Sequence, residues 1–305
     1  MRMRLEQATR DVVRKAVQRP WWTGMDPVLL RTALALAHAR KRGGRHPSQD
    51  AIDAFYVEGR PLLLGHRGAM ARSPENTLGA FRAALSDGGR GVELDVQLSG
   101  DSVPIVLHDD TLDRTSAVRG RPTHFDAAEL DEVDVGTWFT GWGREKVPRL
   151  AEVFASMPEG SVVNVELKGP TPAWAGLEAR VVEVIRRFPR VHAIVSSFHP
   201  AQLLALREID VDIPTALLIA EDALLPLRTA WAAPFLAPDA IHPPARLVDA
   251  GFMRAAREGD LRVHAWAVRD DREAERLLDL GVDGLIVDDV AGAATLFRRR
   301  YGSSR

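Results

Sequence analysis

From residue 61 onward, short apolar runs alternate with helical patterns, and this alternation restricts the fold more than any other feature of the sequence. Apolar runs fit strands at residues 62–65, 92–97, 103–107, 162–167, 193–197, 215–219, 240–242, 262–267 and 284–287. Helical patterns fit residues 77–85, 174–188, 201–208, 223–231, 247–258, 271–280 and 291–299. Strands separated by amphipathic helices pair in parallel, because a parallel crossover needs about a dozen residues. The expectation is a (β/α)8 TIM barrel with one strand in excess. The surplus lies at residues 92–107, where only Ser99-Gly100-Asp101-Ser102 separates two runs. Four residues are too few for a crossover, so a local hairpin is expected, an irregularity in the barrel. A turn centred on Gly100–Asp101 sets Asp95 opposite Val106 and Glu93 opposite His108.

The strand 92–97 has two unlike faces, since side chains alternate along a strand. Val92, Leu94 and Val96 point one way; Glu93, Asp95 and Gln97 point the other. Two carboxylates aimed into an enclosed interior are costly without a counter-charge. The same alternation recurs at Asn164, Glu166 and Lys168, with Val163, Val165 and Leu167 opposite. The first strand ends in His66-Arg67-Gly68, and Ser73-Pro74-Glu75-Asn76-Thr77 then opens a helix with Asn76 or Ser73 as its cap. Inside a barrel, the inward set becomes Glu93, Asp95, Glu166, Lys168, His66, Arg67 and His108. Three carboxylates in a chain without cysteine suit an oxygen-preferring cation, Mg²⁺ or Ca²⁺. Arg67 and Lys168 suit a phosphate, and two histidines suit proton transfer near neutral pH. Together these meet the needs of phosphodiester hydrolysis. A salt-bridge network of the two carboxylates with Arg67 and Lys168 is the plainer alternative. His264 is assigned to the barrel core, and His38, His46, His124 and His192 to surface or loops; His199 and His242 lie near strand ends within reach of a pocket.

Residues 1–60 hold 12 Lys/Arg against 6 Asp/Glu, whereas the other 245 hold 28 against 36. This asymmetry marks a separate N-terminal helical extension, 1–60, ahead of a barrel, 61–305. The extension reads as a flap on the barrel, as a basic face for peripheral contact with anionic lipid headgroups, or as a partner-binding arm. Neither a signal peptide nor a membrane span fits, and with no disulfides the expected location is the cytoplasm. A net charge of −2 gives no field for nucleic acid, and no pattern fixes an oligomeric state. Residues 109–148 break the alternation and read as a cap insertion. Its aromatic cluster, Trp138, Phe139 and Trp142, fits a small core of its own or the wall of a pocket.

Taken in order, His-Arg-Gly, Pro-Glu-Asn-Thr, Glu-x-Asp, His-Asp, Glu-x-Lys, Ser-Phe and Gly-Val-Asp-Gly resemble the glycerophosphodiester phosphodiesterase family over residues 61 to about 292. The resemblance implies a (β/α)8 barrel with an inserted cap and a divalent cation on Glu93, Asp95 and Glu166. It implies His66 and His108 as the acid/base pair, Arg67 and Lys168 on the phosphate, and Phe198 and Trp266 at the glycerol end. The implied reaction releases sn-glycerol 3-phosphate and an alcohol from a small glycerophosphodiester, through attack by the glycerol 2-hydroxyl and a cyclic phosphate that water then opens, with direct attack by metal-bound water as the alternative route. Two departures, Val287 where the family often has Thr and Ala267-Val268-Arg269 where it has Thr-Val-Asn, bear on selectivity. Lysophospholipase D action on a lysolipid is an alternative, as is a non-catalytic barrel that binds phosphoryl ligands or a partner.

Overall fold

The computed structural model describes residues 47–56, 59–168, 176–220 and 236–302. The helical patterns expected before residue 47 and over 223–231 lie outside these residues. The strands are β1 (Leu62–Gly65), β2 (Gly91–Leu98), β3 (Pro104–Val106), β4 (Val162–Leu167), β5 (His192–Ser197), β6 (Thr215–Leu218), β7 (Ala240–His242), β8 (Arg262–Val268) and β9 (Gly284–Val287). Their order is β1-β9-β8-β7-β6-β5-β4-β2-β3, and β1 also pairs with β2. That last pairing closes eight parallel strands into a TIM barrel, with β3 attached antiparallel to β2.

Two layers of packing follow from the strand alternation. Outward residues such as Val92, Leu94, Val163, Val165 and Leu285 are buried beneath the surrounding helices. Inward residues Leu62, Leu64, Val162, Ile194, Ala216, Ala240 and Ile286 form a second cluster with Ile52 and Phe55. Each fully buried Leu, Ile, Val or Phe among them contributes roughly 1.5–3 kcal/mol of transfer free energy, and each Ala less. Ile52 and Phe55 come from the helix Pro47–Asp53 and the turn after it. That helix is tied to the barrel by Ser48 Oγ donating to Asp239 (2.6 Å) and by an Arg262–Asp53 ion pair (2.8 Å). The barrel interior is therefore filled by apolar side chains under this helix, with buried polar contacts closing the N-terminal mouth, and the cavity lies toward the C-terminal ends of the strands.

The β2–β3 hairpin exists, with its register one residue from the expected one. Val96 pairs with Val106, so Asp95 stands against Leu107 instead of Val106, and Glu93 is not opposite His108. The reason is the turn. Ser99 N–H donates to the Val103 carbonyl at 3.0 Å, which closes a three-residue loop, and Ser102 takes a left-handed φ of 63°. Three-residue loops with a left-handed third residue shift the register by one relative to two-residue turns. His108 still approaches the carboxylates because the chain leaves the strand after Val106.

Other differences are local. Thr77, not Asn76 or Ser73, caps the helix Leu78–Ser86, its side chain accepting from Ala80 N–H. The helix Leu150–Ser156 supplies the crossover into β4 and was not expected, although Leu150, Val153 and Phe154 form its buried stripe. His192 begins β5 half-buried against Phe55, not in a surface loop. In the 109–148 stretch, Leu112, Leu130, Val133, Val135 and Val147 form a small core with Ile105 and Leu107. Trp138, Phe139 and Trp142 stack edge to face, and Trp142 lies over Gly79 of the neighbouring helix. Among the described residues, no helix is long and apolar enough to cross a membrane.

Candidate active site

Parallel register brings the acidic residues together. Glu93 pairs with Asn164 and Asp95 with Glu166, so all four side chains enter the barrel on neighbouring strands. One carboxylate oxygen from each of Glu93, Asp95 and Glu166 lies within 4.8 Å of the others. The three are 4%, 1% and 7% exposed. Two ligands of one ion, each about 2.0–2.6 Å from it, can be separated by roughly 4–5 Å at most, so the spacing suits a single Mg²⁺ or Ca²⁺.

The surrounding charge fits such a cation. Asp95 is bracketed by Arg67 Nε (3.4 Å) and Lys168 Nζ (3.2 Å), and Lys168 also meets Glu166 at 2.7 Å. Among the described residues, Glu93 meets the Arg67 backbone N–H at 3.0 Å and His66 Nε2 at 4.0 Å. Three carboxylates thus face two cations. Burial, with Asp95 and Glu166 beside it, pushes Glu93 well above the ordinary carboxylate range. Burial and Asp95 push Glu166 up to about 7. Burial alone would raise Asp95 too, but Lys168, Arg67 and His108 outweigh it and hold that carboxyl below its usual value. Asn164 lies beside Glu93 with both amide atoms buried and without a hydrogen-bond partner among the described residues. An all-oxygen donor set with surplus negative charge and a spare amide fits a hard divalent ion. The salt-bridge alternative describes Asp95 but gives Glu93 no Lys or Arg ion pair within 4 Å among the described residues, only the more distant field of Arg67.

Strained backbone supports this geometry. Arg67 and Asn76 hold φ of 52° and 57°, uncommon for residues with a Cβ. In that conformation Arg67 N–H reaches Glu93, Asn76 N–H donates to the Arg67 carbonyl, and Asn76 Nδ2 donates to Asp95 Oδ2 at 2.8 Å. Gly68 follows at φ 88°, where a Cβ would stand 2.6 Å from the Ala80 backbone.

Each candidate histidine is backed by a carboxylate. His66 Nδ1 lies 2.7 Å from Asp288 Oδ1, and His108 Nδ1 lies 2.6 Å from Asp109 Oδ1. A carboxylate accepts, so both Nδ1 atoms carry the proton and both Nε2 atoms are left to exchange one. Burial lowers the His108 pKa, with Asp95 opposing. Gln97 Nε2 donates to the Leu107 and Asp109 carbonyls at 2.9 and 2.7 Å and fixes the backbone around His108.

A cavity of about 140 Å³ brings His66, Arg67, Glu93, His108, Glu166, Lys168, Phe198 and Trp266 to one wall system, with Asn164, Leu218 and Ile286. Asp95 stands behind this wall. Phe198 and Trp266 meet edge to face at 5.6 Å. Of the other histidines, His242 and His264 are wholly buried below the cavity, in a chain from Tyr56 Oη to His264 Nε2 (2.7 Å) and from His264 Nδ1 to His242 Nε2 (2.9 Å). His199 is exposed at the start of the helix Pro200–Ile209 and does not line the cavity. Sequence reasoning did not assign Asp109, Asp288, Glu75, Arg114 or Asn164 to the site. For Asn164 the strand alternation was a signal, and for Asp109 its place directly after His108; Asp288 and the Glu75–Arg114 pair act across 222 and 39 residues of sequence, which hide them. A larger hollow of about 300 Å³ lies at the opposite mouth, among Gln49, Ile52, Asp53, Asp239, Asp260 and Arg262. It is at the N-terminal strand ends, the mouth that barrels use for stability.

Polar residues converging at the C-terminal mouth of a parallel barrel define an enzyme of the (β/α)8 class. Residues 66–291 match the glycerophosphoryl diester phosphodiesterase family. A glycerophosphodiester phosphodiesterase of Caldanaerobacter subterraneus is 29% identical over 241 residues, 78% of this chain and 98% of that protein. One from Bacillus altitudinis is 31% identical, over 74% and 94% of the two chains. An Oleispira antarctica phosphodiesterase, solved with its product sn-glycerol 3-phosphate, superposes with a TM-score of 0.69 at 26% identity, covering 79% of this chain and 97% of that one. The chain belongs to the glycerophosphoryl diester phosphodiesterase family.

Proposed function

We propose that this enzyme hydrolyses small glycerophosphodiesters to sn-glycerol 3-phosphate and an alcohol, with Glu93, Asp95 and Glu166 holding one divalent cation. The observation that carries this reading is the convergence of those three carboxylates within 4.8 Å, in the segment that matches the family. When bound, Mg²⁺ or Ca²⁺ supplies charge neutralisation at the phosphoryl oxygens. Arg67 and Lys168 bind the phosphate beside it and orient the scissile bond. His66 and His108 exchange protons through Nε2: one takes the proton of the attacking hydroxyl, of glycerol or of water, and the other protonates the leaving alkoxide. Asp288 and Asp109 hold the two rings in the tautomer this requires. The Phe198–Trp266 pair packs against the glycerol carbons.

A cavity of about 140 Å³ supports a compact, polar diester over a lysolipid. The reading includes an N-terminal extension, 1–60, whose basic composition suits peripheral contact with anionic lipid. It also includes a barrel, 61–305, with a cap at 109–148, and a cytoplasmic location without nucleic-acid partners. The test is ³¹P NMR of glycerophosphocholine and lysophosphatidylcholine incubated separately with the protein and Mg²⁺ or Ca²⁺. Formation of glycerol 3-phosphate from glycerophosphocholine is expected. Phosphocholine as product would refute the bond assignment, and faster turnover of the lysolipid would refute the substrate class.

A further inference from the structure

Arg114 stands outside the cavity, yet its guanidinium is bonded along two edges to two carboxylates. Nη1 and Nη2 each lie 2.7 Å from an oxygen of Glu75. Nε and Nη2 lie 2.6 and 3.1 Å from the two oxygens of Asp109. Both carboxylates continue into the site. Glu75 Oε1 accepts from Arg67 Nη1 at 2.8 Å, and Asp109 Oδ1 meets His108 Nδ1 at 2.6 Å. One continuous chain, Arg67–Glu75–Arg114–Asp109–His108, therefore joins a phosphate-binding cation to an acid/base imidazole.

We propose that Arg114 is a positioning residue that locks Arg67 and His108 into a single unit; this rests on the roles given to those two residues above. The charges alternate along the chain, so each carboxylate is shared between neighbours. Glu75 is buried and is held below its usual pKa, burial opposing and Arg114 and Arg67 prevailing. Asp109 is held down to about 2, chiefly by its bonds from Arg114. A planar guanidinium satisfies both carboxylates at fixed angles, which a single ammonium cannot do. Nearby Leu112 is fully buried in the small core of the 109–148 stretch, which anchors Arg114 to the cap side. Without Arg114, Glu75 keeps only Arg67 and draws it from the phosphate, while Asp109 is free to turn away from His108. The two losses fall on different kinetic constants, KM through Arg67 and kcat through His108.

The experiment is steady-state kinetics of the full chain on glycerophosphocholine, with Arg114→Gln, Arg114→Lys, His108→Ala and the Arg114→Gln/His108→Ala double variant. Arg114→Gln is expected to lower kcat about tenfold and raise KM about fivefold. Arg114→Lys keeps the charge that balances Glu75, so it reports on geometry even where the glutamine variant folds poorly, and less than about half of the defect is recovered. In the double variant kcat matches that of His108→Ala within about twofold, while the rise in KM persists. Histidine ¹⁵N spectra give a readout independent of turnover: His108 carries its proton on Nδ1 in the parent and shifts to mixed tautomers in Arg114→Gln. Parent-like kinetics with an unchanged His108 spectrum in Arg114→Gln would overturn the proposal, as would full recovery by lysine or an undiminished kcat loss in the double variant. A fully active His108→Ala would remove the acid/base role instead, and the KM and ¹⁵N results would still decide the tie.

Discussion

Replacing Asp288 by asparagine tests the histidine geometry at its most exposed support. Its carboxylate meets His66 Nδ1 at 2.7 Å across 222 residues of sequence and does not line the cavity. A hydrogen bond to a charged group is worth roughly 1.5–3 kcal/mol, which corresponds to about 10- to 150-fold in rate if the bond is expressed fully in the transition state. The side chain is 28% exposed, which favours the lower part of that range for a simple loss of contact. Asparagine, however, can turn its Nδ2 toward the ring and move the proton to Nε2, which leaves Nε2 unable to accept a proton and favours the upper part if His66 is the base. The assay is kcat and KM on glycerophosphocholine for the parent, Asp288→Asn, His66→Ala and the double variant. KM should change by less than about twofold, and on the His66→Ala background the Asp288 substitution should cost almost nothing. A kcat within about threefold of the parent, or an equal loss with and without His66, would refute the reasoning.

On the proposed roles, His66→Ala and His108→Ala should each lower kcat by at least ~100-fold, the scale of a positioned acid or base; a loss below tenfold in either removes that residue from the mechanism. Acid should destabilise the fold through His264. Burial pushes its pKa down to about 4 in the folded chain, while the unfolded chain protonates near 6.5. The unfolded state therefore binds more protons between those values, so this contribution is complete above pH ~6.5 and is lost as pH falls toward 4, roughly 3 kcal/mol in all. The slope of Tm against pH in that window should shrink in His264→Gln, and equal slopes would contradict the assignment.

The barrel could be read from the sequence because its cause is local: period-two alternation and helix-length spacers specify parallel crossovers whatever the distant partners are. Glu93, Asp95 and Glu166 were legible for the same reason, since each is an inward position on a strand whose other face is apolar. The hairpin register was not, because it depends on Ser102 accepting a left-handed conformation that its side chain does not favour. Asp288 behind His66, and Glu75 joined to Arg114, are set by barrel closure and by the folding back of the cap stretch. Neither leaves a periodic trace. Asn76 and Ser73 are both cap-forming residue types, but Asp95 claims the Asn76 amide, Ser73 donates to the Ala69 carbonyl, and Thr77 takes the cap.

The cation site is the central claim, and the most direct measurement is release of sn-glycerol 3-phosphate from glycerophosphocholine before and after EDTA, with Mg²⁺ or Ca²⁺ then restored. The account predicts that chelation abolishes turnover, that one of the two ions restores it, and that Glu166→Gln raises the concentration of ion needed for half-maximal rate by at least about tenfold. A rate that EDTA leaves unchanged would contradict it.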